Sequence, residues 1–266
     1  MLFPLSDDDR HLMHPAWVTI ALMVANVLVF LYQLAHPEFT YGYSVVPAEI
    51  TEGTDLVGEV AMKVDGKLVP IPQSPGPVPI YLTLLTAMFM HGGWGHLGGN
   101  MLYLWIFGDN VEHRFGALRF LFFYLASGLA ATAAQIAVDP DSIVPNLGAS
   151  GAISGVLGAY MVLFPRNQVH CIILFRIVAL PAVFVLGLWI LLQFLSGGGQ
   201  IIGGEQTAGG VAYAAHIGGF VAGLVAGALA RMGMDDEPET PFTRAIRRGE
   251  PSHPAYRPHP YSRRRR

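Results

Sequence analysis

Three polar clusters interrupt otherwise apolar stretches of this chain: His91 to Asn100, Gly148-Ala149-Ser150-Gly151, and Ala215-His216-Ile217-Gly218-Gly219. Their residue types could carry out acyl transfer. A serine hydroxyl becomes a useful nucleophile when a neighbouring base takes its proton. A neutral imidazole, with an ordinary pKa near about 6.5, can take that proton and return it to a leaving amine. Ser150 is the candidate nucleophile and His216 the candidate base. Gly148 and Gly151 flank the serine where loop turns into helix. Glycine lets backbone approach a substrate closely, and a helix start leaves N–H groups that favour negative charge. Taken alone, the tetrapeptide reads first as an ordinary serine cap, since small-residue clusters are common in membrane helices, and His216 alone is equally a hydrogen-bonded packing histidine. His96 and Asn100 share one helix face. Both could donate to a developing oxyanion, as could the Ser150 N–H. His91, Gly148 and Gly151 are supporting candidates. Asp109 and Glu112 fall at the far end of the His96 helix, and Asp139 and Asp141 fall in a loop. The expectation is therefore a Ser–His dyad with no carboxylate.

The elements that must position these groups follow from composition. Of the 266 residues, 52% are hydrophobic and 13% charged, with a mean hydropathy of +0.44. Soluble domains carry about 25% charged residues, so the chain reads as a membrane protein. A net charge of −3 gives no case for nucleic acid as a partner, and the single cysteine, Cys171, excludes an intrachain disulfide and a cysteine-rich zinc site. It reads as a small apolar residue in a helix. A bilayer core needs roughly 20 apolar residues per helix. Six spans are expected, at about 17–36, 95–112, 117–137, 149–165, 172–195 and 210–231, with Pro181 kinking the fifth. The second and fourth are diluted by glycine, which membrane helices tolerate.

Arg114, Arg119, Arg166 and Arg231 flank the second loop, the fourth loop and the C-terminal end of the sixth helix. The positive-inside rule then puts those loops and both termini in the cytoplasm. Lys63 and Lys67, in the first loop among more numerous acids, are the exception. With this orientation His96, Asn100, Ser150 and His216 all fall at similar depth, just below the outer face. Ala215, Gly219, Gly223 and Gly227 form one small-residue stripe, and Gly151, Gly155 and Ala159 another. Such stripes let membrane helices pack backbone to backbone, which would bring Ser150 and His216 together.

The expected organisation is a cytoplasmic N-terminus over 1–16, a membrane domain over 17–231 with a long extracytoplasmic first loop at 37–80, and a disordered basic cytoplasmic tail over 232–266. The N-terminus lacks a signal-peptide pattern, so the first apolar run is expected to be retained. Val60–Val64 and Leu68–Ile71 around Asp65-Gly66 read as a small hairpin.

His96-Leu-Gly-Gly-Asn100, Gly148-Ala-Ser150-Gly151 and Ala215-His216-Ile-Gly218-Gly219 resemble, in order and placement, the signatures of rhomboid intramembrane proteases. Glu112-His-Arg114-Phe-Gly116 resembles that family's Glu-x-Arg motif, a structural pair. The resemblance runs from about Thr86 to Ala230. It implies an all-α, polytopic six-transmembrane-helix bundle acting as a serine endopeptidase. It also implies Ser150 and His216 as the dyad, with His96, Asn100 and the Ser150 N–H around the oxyanion. The implied substrates are membrane proteins whose transmembrane segments are cut near the outer bilayer face, after a small residue. No cofactor and no metal are implied. The fifth helix and the Ser196–Gly210 loop correspond to elements thought to gate entry in relatives. Two departures stand out. Pro79-Ile-Tyr-Leu-Thr83 lacks the Trp-Arg of many relatives, and Ser154 stands where some carry a tyrosine stacked on the base, so His216 must be held otherwise.

Rival readings are a rhomboid-fold protein that binds clients without cutting them, a transporter or channel, and a zinc protease using His91, His96 and His113. The transporter predicts internal repeats that the sequence lacks, and the zinc protease a His-Glu-x-x-His motif that is also missing. A bacterial inner membrane is the expected location.

Overall fold

The computed structural model describes residues 3–7, 15–64, 67–203 and 212–233. Strand β1 (Phe3–Ser6) precedes helix α1 (Trp17–Ala35). The first loop then folds into α2 (Pro37–Tyr43), α3 (Pro47–Glu52) and a hairpin of β2 (Gly58–Val64) and β3 (Lys67–Gln73). Short helical turns from Ile80 to Phe89, including α4 (Thr83–Thr86), lead to α5 (Trp94–Phe115), α6 (Ala117–Val138) and α7 (Ser150–Leu163). A second hairpin, β4 (Gln168–Ile173) and β5 (Arg176–Pro181), precedes α8 (Ala182–Gly203) and α9 (Tyr213–Gly233).

The architecture is a helical membrane bundle with two small antiparallel sheets. Among the described residues, α1, α6 and α9 are long and apolar enough to cross a bilayer. α5 has 22 residues, but its glycines and its acidic and basic C-terminal turn dilute its hydropathy. α7 and the apolar part of α8, Ala182–Gly197, are shorter. The centre is α7, buried continuously from Gly151 to Tyr160. It is walled by Leu104 and Phe107 of α5, Phe120 and Tyr124 of α6, and Phe220 of α9. The small-residue stripes meet in register: a methyl added at Gly219 would strike the Gly151 carbonyl, one at Gly223 the Gly155 carbonyl, and one at Gly227 would lie 3.0 Å from Ala159 Cα.

The fifth span differs from the sequence expectation. Residues 172–181 form the end of one strand, a turn and a second strand rather than helix, and the helix begins at Ala182, so Pro181 ends a strand instead of kinking a helix. The sheet has the order β1-β4-β5. The β4–β5 turn carries Leu174 and Phe175 at φ +45° and +66°. A short apolar run reads alike as strand or helix by hydropathy, and here β-branched residues and a pairing partner decide for strand. Cys171 is accordingly a free, buried cysteine in β4 rather than in a helix. α8 continues through Gly203, so the first half of the expected gating loop is helical, and 204–210 fall outside the described residues. The basic tail from 234 onward and the Asp65-Gly66 turn also fall outside them.

Within the N-terminal segment, Phe3–Ser6 pairs with β4 and Asp7 is tied into the bundle. Asp7 is 8% exposed. Its carboxylate accepts hydrogen bonds from Asn110 Nδ2, at 2.8 Å, and from the Tyr160 hydroxyl, which ties β1 to α5 and α7. Glu112 has a comparable task. Ala16 offers α1 no side-chain cap, and the Glu112 carboxylate accepts from Val18 N, Thr19 N and Thr19 Oγ1 at 3.0, 2.7 and 2.8 Å. A carboxylate on orphan N–H groups at a helix start is favoured by both hydrogen bonding and the dipole.

The first loop braces the approach to Ser150. Val45 and Asn146 exchange both backbone hydrogen bonds, Ala48 N donates to Ser142 O, and Gln73 Nε2 donates to Ile143 O. Within that loop burial pushes the Glu49 carboxyl up to about 7; Asp55 adds to the rise, and a hydrogen bond from Leu56 N opposes it. The folded loop therefore holds a proton that the unfolded loop releases. Its stability is fullest below about 4.5 and is lost as pH rises through about 7. The thermal midpoint of the native chain should fall between about pH 5 and pH 8 relative to Glu49→Gln, which cannot ionise; parallel curves would contradict this.

Candidate active site

Ser150 is the first residue of α7, where backbone N–H groups have no intrahelical partner. His216 lies in the first turn of α9, with its N–H bonded to Ala212 O. Backbone contact between α7 and α9 leaves the two side chains facing each other, with Ser150 Oγ 2.8 Å from His216 Nε2. The other ring nitrogen, Nδ1, lies 2.8 Å from Gln193 Oε1 on α8. The Trp189 ring, one turn earlier on α8, packs against the imidazole with centroids 5.9 Å apart at 37°.

A cavity of about 670 Å³ opens beside this pair, lined by Ser150, His216, His96, Asn100, Trp189 and Gln193 among others. The structure thus brings together all four polar residues read from the sequence. His91 and Asn100 form a unit: Asn100 Nδ2 donates to His91 Nε2 at 2.9 Å, and His91 is 2% exposed. One amide hydrogen is engaged there, and the other is available to the cavity. His91 therefore holds Asn100 rather than lining the cavity itself. His96 Nδ1 accepts from Gly92 N at 3.3 Å, which leaves its proton on Nε2, the form that can donate. This set offers a hydroxyl beside an imidazole acceptor and side-chain donors across a cavity, an arrangement suited to acyl transfer.

Gly148 has φ +128°, a conformation that side chains resist, and its N–H is held by Ala87 O at 2.9 Å. A methyl there would lie 2.8 Å from His96 Cε1 and Nε2. Gly148→Ala should therefore displace the His96 ring and lower turnover roughly 10-fold, alongside a strain cost of about 1–3 kcal/mol. A thermal melt and an assay on the same preparation check both effects. Gly151 serves differently, since an added methyl would meet Ala131 Cβ of α6 at 2.6 Å.

The family description "Rhomboid domain" matches residues 80–233, more than half of the chain and the whole of this cavity. The chain belongs to the rhomboid family. With its apolar helices it is a membrane-embedded protein. It is 34% identical over 155 residues to Rhomboid protein 1, mitochondrial, of Saccharomyces cerevisiae, covering 55% of this chain and 41% of that protein. To Rhomboid protease GluP of Bacillus subtilis it is 42% identical over 85 residues, 32% of this chain and 16% of that protein. To RHOMBOID-like protein 6, mitochondrial, of Arabidopsis thaliana it is 30% identical over 169 residues, 55% and 51%. The matched stretch thus spans about half or less of each relative.

Within the rhomboid frame both sequence departures have structural counterparts. The first loop is held by its pairing with residues 142–146 instead of by a Trp-Arg pair. Ser154, in the place of a stacking tyrosine, turns inward and donates to Ser150 O at 2.6 Å, while α8 supplies the contacts to His216. Sequence reasoning passed over Gln193 and Trp189. The available signal was an amide within the apolar run 182–195, since polar groups inside a membrane are costly and commonly functional.

Proposed function

We propose that this rhomboid chain is an intramembrane serine endopeptidase that cuts transmembrane segments of membrane proteins near the outer bilayer face. The observation that carries the reading is the 2.8 Å contact between Ser150 Oγ and His216 Nε2 at the wall of the cavity. Similarity to a relative named as a protease, Rhomboid protease GluP, supports the same chemistry.

In this reading His216 Nε2 takes the Ser150 proton as Oγ attacks the substrate carbonyl carbon. The oxyanion is met by the Ser150 N–H, the free Asn100 amide hydrogen and His96 Nε2–H. His216 returns the proton to the leaving amine, the C–N bond breaks, and an acyl-Ser150 ester remains. Water, deprotonated by His216, then releases the carboxylate and restores the serine. Each group acts from its own side chain or backbone, without cofactor or metal.

The membrane unit is assigned to 17–231, with cytoplasmic termini, from the loop arginines and the positive-inside rule. A bacterial inner membrane is the proposed location. The test is cleavage of a single-pass substrate co-reconstituted with the chain in liposomes. Products cut within the transmembrane segment, close to its outer end, are expected. An intact substrate, or cuts confined to its soluble part, would overturn the assignment.

A further inference from the structure

His216 needs more than proximity to Ser150. An imidazole accepts a proton at Nε2 only in the tautomer that carries hydrogen on Nδ1, and a ring on one chain of single bonds can rotate and exchange its two nitrogens. Serine hydrolases of other folds solve this with a buried carboxylate on Nδ1. No carboxylate is among the described residues lining this cavity. What faces Nδ1 is the Gln193 amide oxygen at 2.8 Å. Trp189, four residues earlier on the same face of α8, packs on the ring and opposes its rotation.

We propose that Gln193 is the positioning residue of the site: its Oε1 accepts the Nδ1–H of His216, fixes the tautomer with a bare Nε2, and keeps that hydrogen bonded when the imidazolium forms. The inference rests on the dyad reading of the site. An amide suits the location. A carboxylate at this half-buried position of α8 would add a charge within a membrane helix, beside Trp189 on the cavity wall, where charge is expensive, whereas an amide oxygen aligns the ring without one. A buried imidazolium N–H with no acceptor would itself be costly. The amide has two ends, which makes the claim sharp. Were Gln193 reversed, its Nε2–H would donate to Nδ1, the ring proton would sit on Nε2, and the ring could not take the serine proton.

Two measurements test this. In reconstituted native protein labelled with 15N-histidine, with His216 assigned by difference against His216→Asn, the expected signature is a protonated Nδ1 and an unprotonated Nε2. A protonated Nε2 overturns the proposal without any functional variant being made. Gln193→Met keeps the length of the side chain and deletes its acceptor oxygen. Its kcat should fall roughly 10-fold or more with KM within about twofold, as expected when a base loses its aligning bond. A kcat within about twofold of native also overturns the proposal. Ser150→Ala, run in parallel, separates the levels. If Ser150→Ala cleaves as well as native, the dyad reading itself fails; if it is dead while Gln193→Met matches native, only the role of Gln193 fails.

Discussion

Ser150→Ala is expected to lower kcat by roughly 10⁶-fold, and His216→Ala by nearly as much, because a nucleophile and its base act as one unit. Their side chains meet at 2.8 Å, so neither has a task without the other. The double variant should be no worse than either single one, a coupling nearly as large as the single effects. Substrate binding should change little, since Ser150 is half-buried at the wall of a cavity formed by many other groups. The measurement is turnover of a reconstituted transmembrane substrate by all four proteins. Additive losses would mean that the hydroxyl and the imidazole act in separate steps.

Asn100→Ala should slow turnover by roughly 10²–10³-fold, the value of one preorganised oxyanion donor. Asn100 also donates to His91 Nε2, so its removal leaves a buried nitrogen unpaired, worth about 1–3 kcal/mol of stability. The two effects separate experimentally. The stability loss lowers the folded fraction and is read in a melt. The catalytic loss persists per folded molecule, counted by active-site titration. A loss per folded site below about threefold would remove Asn100 from the oxyanion role and leave it as a partner of His91 alone.

Much of the site is legible in the sequence for one physical reason. A histidine or an asparagine inside an apolar helix is costly, so His216 and Asn100 stand out against their surroundings, whereas Ser150 is legible only through its flanking glycines and the depth it shares with them. The small-residue stripes are legible because a backbone contact tolerates few residue types, and Gly219 and Gly223 do face Gly151 and Gly155. The hairpin around Asp65-Gly66 follows from turn chemistry, and its strands pair from Gly58–Gln73 to Val64–Lys67. The features that escape depend on partners distant in sequence. Strands β4 and β5 resemble the start of a membrane helix until β1, more than 160 residues away, is seen paired with β4. Asp7 falls in what reads as a polar cytoplasmic N-terminus, and its burial against Tyr160 and Asn110 is a tertiary event. The first loop is too long to read as a simple connector, but its task is not legible until Val45 and Ala48 are seen to hold the segment that leads into Ser150. Gln193 is one polar residue among leucines, and its partner lies on another helix.

Covalent capture tests the central claim most directly. The folded chain in lipid is treated with a fluorophosphonate, digested, and the modified residue located by mass spectrometry. The adduct is expected on Ser150 and on no other serine, formed rapidly in the native chain and at least about 100-fold more slowly in His216→Ala, where the oxygen lacks its base. An adduct on a different residue, or Ser150 labelled equally fast without His216, would contradict the account.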